Sequence, residues 1–339
     1  MNMRRNMQIL CRMMLSGGLA FLILTCFCFF YFNLPPRCEE QSGATDYRWS
    51  EKTFYSRWTE GVSWGSTNNE GYTDSIDHLE GEKVDVLLMG SSHLEGFQVP
   101  PEDRLAARVR MKNPEKSIYS IGISGHSFLI CCCNLNTALD KYEPSEAVVI
   151  ETGSVWFSDS ELNGAVNGSL NEISAFSNGL IGFLQKNPFL RLLYSQFQGY
   201  RKTKSETPFF PQYVREEQSQ AKDLPDSELL GMLLRKINGI AQGHQVQLIV
   251  IYHPAIGLSA DGSVQRKDDP KTVRLFEQIC VREGILFCDM GERFLSEYME
   301  NHVLPYGFFN TSVGSGHLNR YGLEMMAEEL SFLLGEGKV

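Results

Sequence analysis

The sequence predicts an α/β protein, a flavodoxin-like three-layer sandwich with a five-stranded parallel sheet, preceded by one transmembrane helix. Three observations support this fold class. Five short apolar runs alternate with helix-like segments, these runs end in polar loops, and one long uncharged run lies near the N-terminus. The chain has 339 residues, 42% hydrophobic and 21% charged, a composition that excludes a disordered or collagen-like protein.

The first predicted element is an apolar run of twenty residues, 13–32, without a formal charge. About twenty helical residues cross the ~30 Å hydrocarbon core of a bilayer. Arginines precede the run and glutamates follow it, so the positive-inside rule places residues 1–12 in the cytoplasm and the main domain outside. A cleaved signal peptide has a shorter apolar region that ends in small residues. We therefore predict an uncleaved single-pass anchor at 13–33 in the cell membrane.

The charge balance excludes one class of partner. Residues 1–37 hold four arginines and no acid, so their formal charge is +4. Because the whole chain has a formal charge of −10, residues 38–339 carry −14. An acidic outer domain repels the phosphates of nucleic acids, so nucleic-acid binding is set aside.

Residues 34–82 lie between the anchor and the main domain and are rich in Trp, Ser, Thr, Asn and Gly. They follow neither the helical nor the strand period. We predict irregular structure for this juxtamembrane segment, packed on a main domain that covers residues 83–339.

The main domain alternates predicted strands with predicted helices, which indicates a parallel sheet covered on both faces. The predicted strands are 84–89, 117–121, 147–150, 246–252 and 285–288. The predicted helices are 101–112, 127–142, 227–241, 271–283 and 320–334. Residues 157–226 interrupt this order with aromatic and proline-containing pieces, and we expect them to form a helical lid or subdomain beside the sheet.

Polar residues follow the predicted strands, at the rim where open parallel sheets bind their ligands. Four of the seven histidines of the chain lie in these loops. A single histidine there is usually a solvated or capping residue, but several that converge on one rim indicate a site. The residues are Ser92, His93, His126, Glu151, Ser154, His253, Asp289 and His317.

Ser92 is the strongest candidate for a catalytic residue. A strand–Gly–Ser–Ser turn can present the hydroxyl of Ser92 and direct its backbone N–H, with that of Gly125, at a developing oxyanion. The alternative is that Ser91 and Ser92 only cap the following helix. His317 precedes the last helix in a loop rich in Gly and Ser, and its neutral imidazole could take the Ser92 proton as general base.

Together these segments resemble the SGNH (GDSL-like) hydrolase superfamily over about residues 84–335, in the same chain order. Residues 84–93 match the first block, in which the resemblance makes Ser92 the nucleophile. Residues 120–127 are similar to the second block, whose glycine, here Gly125, donates to the oxyanion. His317-Leu-Asn-x-x-Gly is similar to the last block, with His317 as the base. His93 and Asn319, the neighbours of these residues, join the oxyanion and substrate-binding candidates.

The anchor and the Gly-Ser-Ser-His turn are similar to membrane-anchored members, including those of teichoic acid D-alanylation and alginate acetylation. The resemblance implies hydrolysis or transfer of acyl esters on cell-envelope polysaccharide or small esters. It implies no cofactor, and it makes a membrane-bound acyl-donor protein a candidate partner.

Two positions depart from the superfamily pattern. The third block usually supplies an Asn, but residues 153–156 contain none, and Ser154 is a candidate replacement. The acid normally stands three residues before the base, and that position is Gly314. Asp289, after the fifth strand, is a candidate orienting acid for His317, although a cap for the following helix is its favoured role.

Two alternatives from other classes stay open. Without an orienting acid, a triad loses on the order of 10⁴ in rate, so a non-catalytic polysaccharide-binding or scaffold protein is a rival. A metal-dependent hydrolase is the second, although no local spacing of its ligands supports it. Its candidate ligands are His93, His126, His253 and either Glu151 or Asp289.

Overall fold

The computed structural model describes residues 2–39, 47–168, 186–203, 224–259, 261–311 and 313–336. The chain begins with the long helix α1 (Asn2–Tyr31), of which Arg4–Tyr31 is long and apolar enough to cross a membrane. This helix covers residues 13–31 of the predicted anchor, 13–33, and the last two of those residues lie beyond its end.

The juxtamembrane segment forms short antiparallel strands, where the sequence predicted irregular structure. They are β1 (Phe32–Asn33), β2 (Arg37–Glu39), β3 (Tyr47–Trp49), β4 (Phe54–Arg57) and β5 (Ser63–Ser66). One sheet has the order β1-β4-β5, and β2 pairs with β3. Strands of two to four residues are too short to show a period of two in the sequence, which is why the prediction was wrong.

The main domain holds the remaining strands, and its sheet contains five of them. The strands are β6 (Val86–Gly90), β7 (Ile118–Gly122), β8 (Ala147–Thr152), β9 (Gln247–Tyr252), β10 (Ile256–Leu258), β11 (Val264–Arg266) and β12 (Leu286–Asp289). The five-stranded sheet has the order β12-β9-β8-β6-β7, and every neighbouring pair is parallel. The small antiparallel hairpin of β10 and β11 was not predicted.

The helices after α1 are α2 (Ser92–Glu95), α3 (Leu105–Lys112), α4 (Phe128–Tyr142), α5 (Asp159–Val166), α6 (Pro188–Thr203), α7 (Ser227–Gly243), α8 (Pro270–Glu283), α9 (Gly291–Asn301) and α10 (Arg320–Glu336). Both faces of the five-stranded sheet are covered by helices. Alternate side chains of each strand enter opposite hydrophobic clusters, one formed with α4, α7 and α8 and the other with α3, α9 and α10. The predicted three-layer α/β fold is confirmed.

The juxtamembrane segment packs on the main domain through buried contacts. The indole of Trp49 donates to Glu95 at 2.6 Å, and the Tyr55 hydroxyl accepts a hydrogen bond from Arg104. Asp74 accepts hydrogen bonds from the Arg110 guanidinium at 2.6 and 3.1 Å. These contacts fix the position of residues 47–77 relative to the sheet.

Only part of the predicted insertion lies within the described residues. Helix α5 begins with a capping box of Ser158 and Glu161 and packs against α7. Helix α6 packs against α1. Residues 169–185 and 204–223, the rest of the predicted lid, lie outside the described residues.

Candidate active site

The turn after β6 presents the Ser92 hydroxyl because Ser91 takes the capping role. The Ser91 hydroxyl accepts from the His93 amide at 3.3 Å and caps α2. Gly90 packs directly against the Glu151 carboxylate, so a larger residue would displace that side chain. The alternative in which both serines only cap the helix therefore applies to Ser91 alone.

His317 lies beside Ser92, with Nε2 2.9 Å from the Ser92 Oγ atom. The loop that carries His317 is held to its neighbours by backbone contacts. Gly307 donates to the His317 carbonyl oxygen at 3.1 Å, and Tyr306 forms a β-bridge with Leu318. The predicted proximity of the two side chains is therefore found, although 225 residues separate them in the chain.

The carboxylate at His317 belongs to Glu60, which follows β4 in the juxtamembrane segment. Its Oε2 atom lies 2.8 Å from His317 Nδ1, and its Oε1 atom accepts the His317 backbone amide at 2.8 Å. A carboxylate at Nδ1 holds the proton on that nitrogen and leaves the Nε2 lone pair facing the serine hydroxyl. This is the arrangement that a general base requires.

The surroundings of the Glu60 carboxyl group favour its ionised form. Burial alone would raise the pKa of its carboxyl group, but the hydrogen bonds from the His317 ring and amide and the attraction of the nearby cations lower it to about 2. Arg57 contributes to this effect from 3.3 Å.

Sequence reasoning missed Glu60. It offered Asp289 as a candidate orienting acid and favoured a capping role for it, and in the structure Asp289 contacts the start of α9 and not His317. Arg266 donates to Asp289 at 2.7 Å, and the amide of Gly291 donates to its other oxygen at 2.9 Å, so Asp289 caps α9. Strand β12 is the edge strand, and β9 and β8 separate it from β6 and Ser92. No spacing pattern indicated Glu60, because it lies 257 residues from His317 in a segment without periodicity.

Ser154 and Asn319 use their side chains in local structure, away from the predicted oxyanion role. The Ser154 hydroxyl donates to the Trp156 carbonyl at 3.2 Å within its own turn. The Asn319 amide donates to the carbonyls of the loop before it, and its oxygen accepts from the first amides of α10. Asn319 is therefore a helix cap and a loop brace.

Gly125 lies in a loop that packs against the Ser92 turn. The loop is attached to β6 by the Ile123 amide, which donates to the Gly90 carbonyl at 3.0 Å. Gly125 has φ +98°, a conformation that favours glycine. The hydroxyl of Ser124 donates to Glu95 of α2, which links the loop to the helix that begins at Ser92.

His93 lies between two other imidazoles, with ring centroids 4.6 Å from His253 and 4.9 Å from His317. Its Nδ1 atom accepts the Leu318 amide at 3.1 Å, so the proton of the neutral ring is on Nε2. Burial and the repulsion of His253 lower the pKa of His93 to about 3, which keeps the ring neutral. Among the described residues, no hydrogen-bond acceptor is paired with Nε2.

A second hydrogen-bonded network, which the sequence did not predict, joins Tyr306, His253 and Glu151 and contacts the turn of Ser91 and Ser92. The Tyr306 hydroxyl lies 2.8 and 3.0 Å from two carbonyl oxygens, which only accept, so it donates to them and accepts from His253 Nδ1 at 2.8 Å. The other ring nitrogen of His253 contacts the Glu151 carboxylate. Both ring nitrogens of His253 are thus hydrogen-bonded, one to Tyr306 and the other to Glu151.

Glu151 connects His253 to the turn that holds Ser91 and Ser92. Its carboxylate accepts the Ser91 backbone amide at 2.7 Å and the Ser91 hydroxyl at 2.9 Å. Burial would raise the pKa of Glu151, but the hydrogen bond and charge of His253 lower it to about 2. Glu151 and His253, each with 1% of the side chain exposed, therefore act together as a buried support for the turn.

The residues of the metal alternative have other partners. Glu151 contacts His253, and Asp289 contacts Arg266. Within the part of the chain that the structure describes, no group of three or more His, Cys, Asp or Glu residues is arranged to hold a metal ion.

Comparisons with known proteins give structural likeness only. No protein-family model matches the sequence, and no curated protein is similar to it. Solved structures that resemble it include an acetyl xylan esterase, with a TM-score of 0.43, 12% identity and coverage of 73% of this chain and 98% of that one. A two-domain esterase active on acetylated mannans has a TM-score of 0.41, 12% identity and coverage of 76% and 50%.

A third similar structure, from Desulfitobacterium hafniense, is described as a lipolytic protein of the G-D-S-L family. Its TM-score is 0.38 and its identity 11%, with coverage of 73% of this chain and 98% of that one.

Proposed function

We propose that the protein is a serine-dependent ester hydrolase or O-acyltransferase, with Ser92 as nucleophile, His317 as general base and Glu60 as the orienting acid. The observation that carries this proposal is the continuous hydrogen-bonded chain from Ser92 Oγ through both nitrogens of His317 to Glu60. Nucleophile, base and orienting acid in this order form the constellation of serine hydrolases on unrelated folds.

The reaction has two half-steps. His317 Nε2 takes the Ser92 proton as Oγ bonds to the ester carbonyl carbon, and the carbonyl electrons move onto its oxygen. When they return, the bond to the alcohol breaks, and His317 protonates the leaving alkoxide. Water or a sugar hydroxyl then attacks the acyl-serine, with His317 again as base, which gives hydrolysis or transfer respectively. The bond between the acyl carbon and Ser92 Oγ breaks, and His317 returns the proton to Oγ.

The oxyanion needs donors that the missing third-block Asn does not supply. We assign this role to the backbone amides of Ser92 and Gly125 and to Nε2–H of His93. The neutral ring of His93, held by Leu318, supports this assignment because its proton is already on the free nitrogen.

Glu60 favours an enzyme over the non-catalytic binding protein. That alternative depended on Gly314 at the acid position, and a carboxylate from another part of the chain contacts the base instead. The motif resemblance makes O-acyl groups of cell-envelope polysaccharide, or small acyl esters, the proposed substrates. We also propose that α1 anchors this chemistry at the outer face of the cell membrane, with a membrane-bound acyl-donor protein as a candidate partner.

A fluorophosphonate probe on the full-length protein in detergent tests the nucleophile. We expect wild-type protein to be labelled and Ser92→Ala to remain unlabelled with an unchanged melting temperature. Ser154→Ala is the matched control and should label like wild type, because its hydroxyl is used in a local turn. Equal labelling of Ser92→Ala would exclude Ser92 as the nucleophile.

A further inference from the structure

Three exposed aromatic residues lie close to the site without a partner in the proposed reaction. Trp58, Trp64 and Phe309 have 40%, 57% and 85% of their surface exposed. The two indoles stack, with ring centroids 6.0 Å apart. We call these three residues the aromatic patch.

The aromatic patch continues the exposed apolar surface of α1. The Trp58 amide donates to the carbonyl of Tyr31, the last residue of that helix, at 3.0 Å. Phe54 stacks on Phe29 of α1, with centroids 5.1 Å apart. The loop that carries Phe309 is bonded to the same stretch of chain, because the neighbouring Asn310 donates to the Trp58 carbonyl at 2.7 Å.

The same backbone leads directly into the candidate site. Glu60 follows Trp58 by two residues, so their Cα atoms are at most about 7 Å apart. The carboxylate of Glu60 then contacts His317 at 2.8 Å. The end of the membrane helix and the catalytic base are thus joined by one short stretch of chain.

Helix α6 adds a second apolar surface beside α1. Phe189 packs on Phe21 with centroids 5.8 Å apart, and Asn187 donates to the Thr25 hydroxyl at 3.3 Å. Leu193 and Phe197 of this helix are exposed. An amphipathic helix against the outer half of a membrane span suits the headgroup region of a bilayer.

We propose that the aromatic patch docks in the headgroup region of the bilayer that holds α1, so that Ser92, His317 and Glu60 work at the membrane surface. Trp favours this region because its ring is apolar and its N–H is polar. Because the aromatic patch is continuous with the apolar surface of α1, we infer that lipid covers it and not a second copy of the chain. The site then takes acyl substrates presented in the plane of the membrane, an extension that rests on the proposed ester chemistry.

Quenching by brominated lipid tests the docking. The full-length protein is reconstituted in phosphatidylcholine vesicles, with or without bromine on the acyl chains near the headgroup. We expect bromine to quench the tryptophan emission, and this quenching to be largely lost in the Trp58→Phe/Trp64→Phe double variant. The single variant Trp156→Phe is the matched control and should retain it.

Two results would overturn the proposal: equal emission in both lipids, as expected if a second copy covers the patch, or undiminished quenching in the double variant. Ser92→Ala separates docking from chemistry, because it should be quenched like wild type. A docked protein that the fluorophosphonate does not label would contradict the proposed function and leave the docking intact.

Discussion

At the scale of single residues, the site depends on how charge is distributed around three imidazoles. His317 faces an ionised carboxylate, His93 is kept neutral, and His253 is paired with Glu151. The three rings are within 5 Å of their neighbours, so a change in the charge of one alters the proton affinity of the others. Each ring therefore has a separate role that a substitution can test.

Glu60→Gln should lower kcat for a soluble ester by about 10²–10⁴, because the amide no longer holds the His317 proton on Nδ1 or stabilises the imidazolium. Asp289→Asn is the control and should leave turnover unchanged, since Asp289 caps α9. The measurement is steady-state hydrolysis of nitrophenyl acetate by the full-length protein in detergent. If Asp289→Asn lost as much turnover as Glu60→Gln, the loss would not be specific to the carboxylate at His317, and Glu60 would be removed from the mechanism.

His93→Phe should lower kcat by about 10²–10³ with little change in KM, because it removes one proposed oxyanion donor that acts in the transition state. His93→Gln restores an N–H donor and should recover part of the loss. If Phe and Gln variants are equally active, the ring only fills space between its neighbours.

Acid should destabilise the fold through the half-buried Glu60 and the buried Glu151. The pKa of both is lowered from 4.5 to about 2, so their stabilising effect is complete above the unfolded value and is lost as the pH falls from 4.5 to about 2. In Glu60→Gln the melting temperature should fall less steeply over this range. Parallel curves for variant and wild type would contradict the assigned ionisation.

At the scale of elements, the ends of β6 and β7 carry the nucleophile turn and the oxyanion loop at one rim. Gly90 and Gly122 are paired in register at these ends. A Cβ atom on Gly122 would lie 2.5 Å from the Glu95 backbone nitrogen of α2. The close approach of β7 to α2 is thus part of what sets the position of Ser92.

Gly122→Ala should therefore destabilise the protein by ~1–3 kcal/mol through overpacking, and should also slow labelling of Ser92. Gly239→Ala, in the exposed middle of α7 with nothing within 4 Å, should instead stabilise it by ~0.5–1 kcal/mol. Thermal unfolding followed by near-UV circular dichroism measures both. A neutral Gly122→Ala would mean that α2 can move without cost.

At the scale of the whole molecule, the juxtamembrane segment and the α/β domain both contribute residues to the proposed site. The motif resemblance begins at about residue 84, yet the acid of the proposed triad is Glu60. The segment that carries it is hydrogen-bonded to the end of α1 on one side and to the catalytic loop on the other. The juxtamembrane segment is therefore a folded part of the protein that contacts both α1 and the α/β domain, and not only a tether between them.

The proposed orientation can be tested with cysteines on either side of the anchor. Cys11 and Cys38 are both exposed. In intact cells, a membrane-impermeant maleimide should label a variant that keeps only Cys38 and leave a variant that keeps only Cys11 unlabelled until the cells are opened. The reverse pattern would place the α/β domain in the cytoplasm.

The sequence by itself determined the α/β sandwich, its strand and helix positions within a few residues, and the pairing of Ser92 with His317. The sandwich and its elements follow from short-range periodicity. The pairing was expected from the rule that parallel strands end at one rim, together with the motif order of the superfamily that the sequence resembles. Only the tertiary structure decided which carboxylate reaches His317, that Asp289, Ser154 and Asn319 serve as caps and turns, and that His93 is neutral. Such features depend on contacts between residues up to 257 positions apart and on burial, which no local pattern encodes.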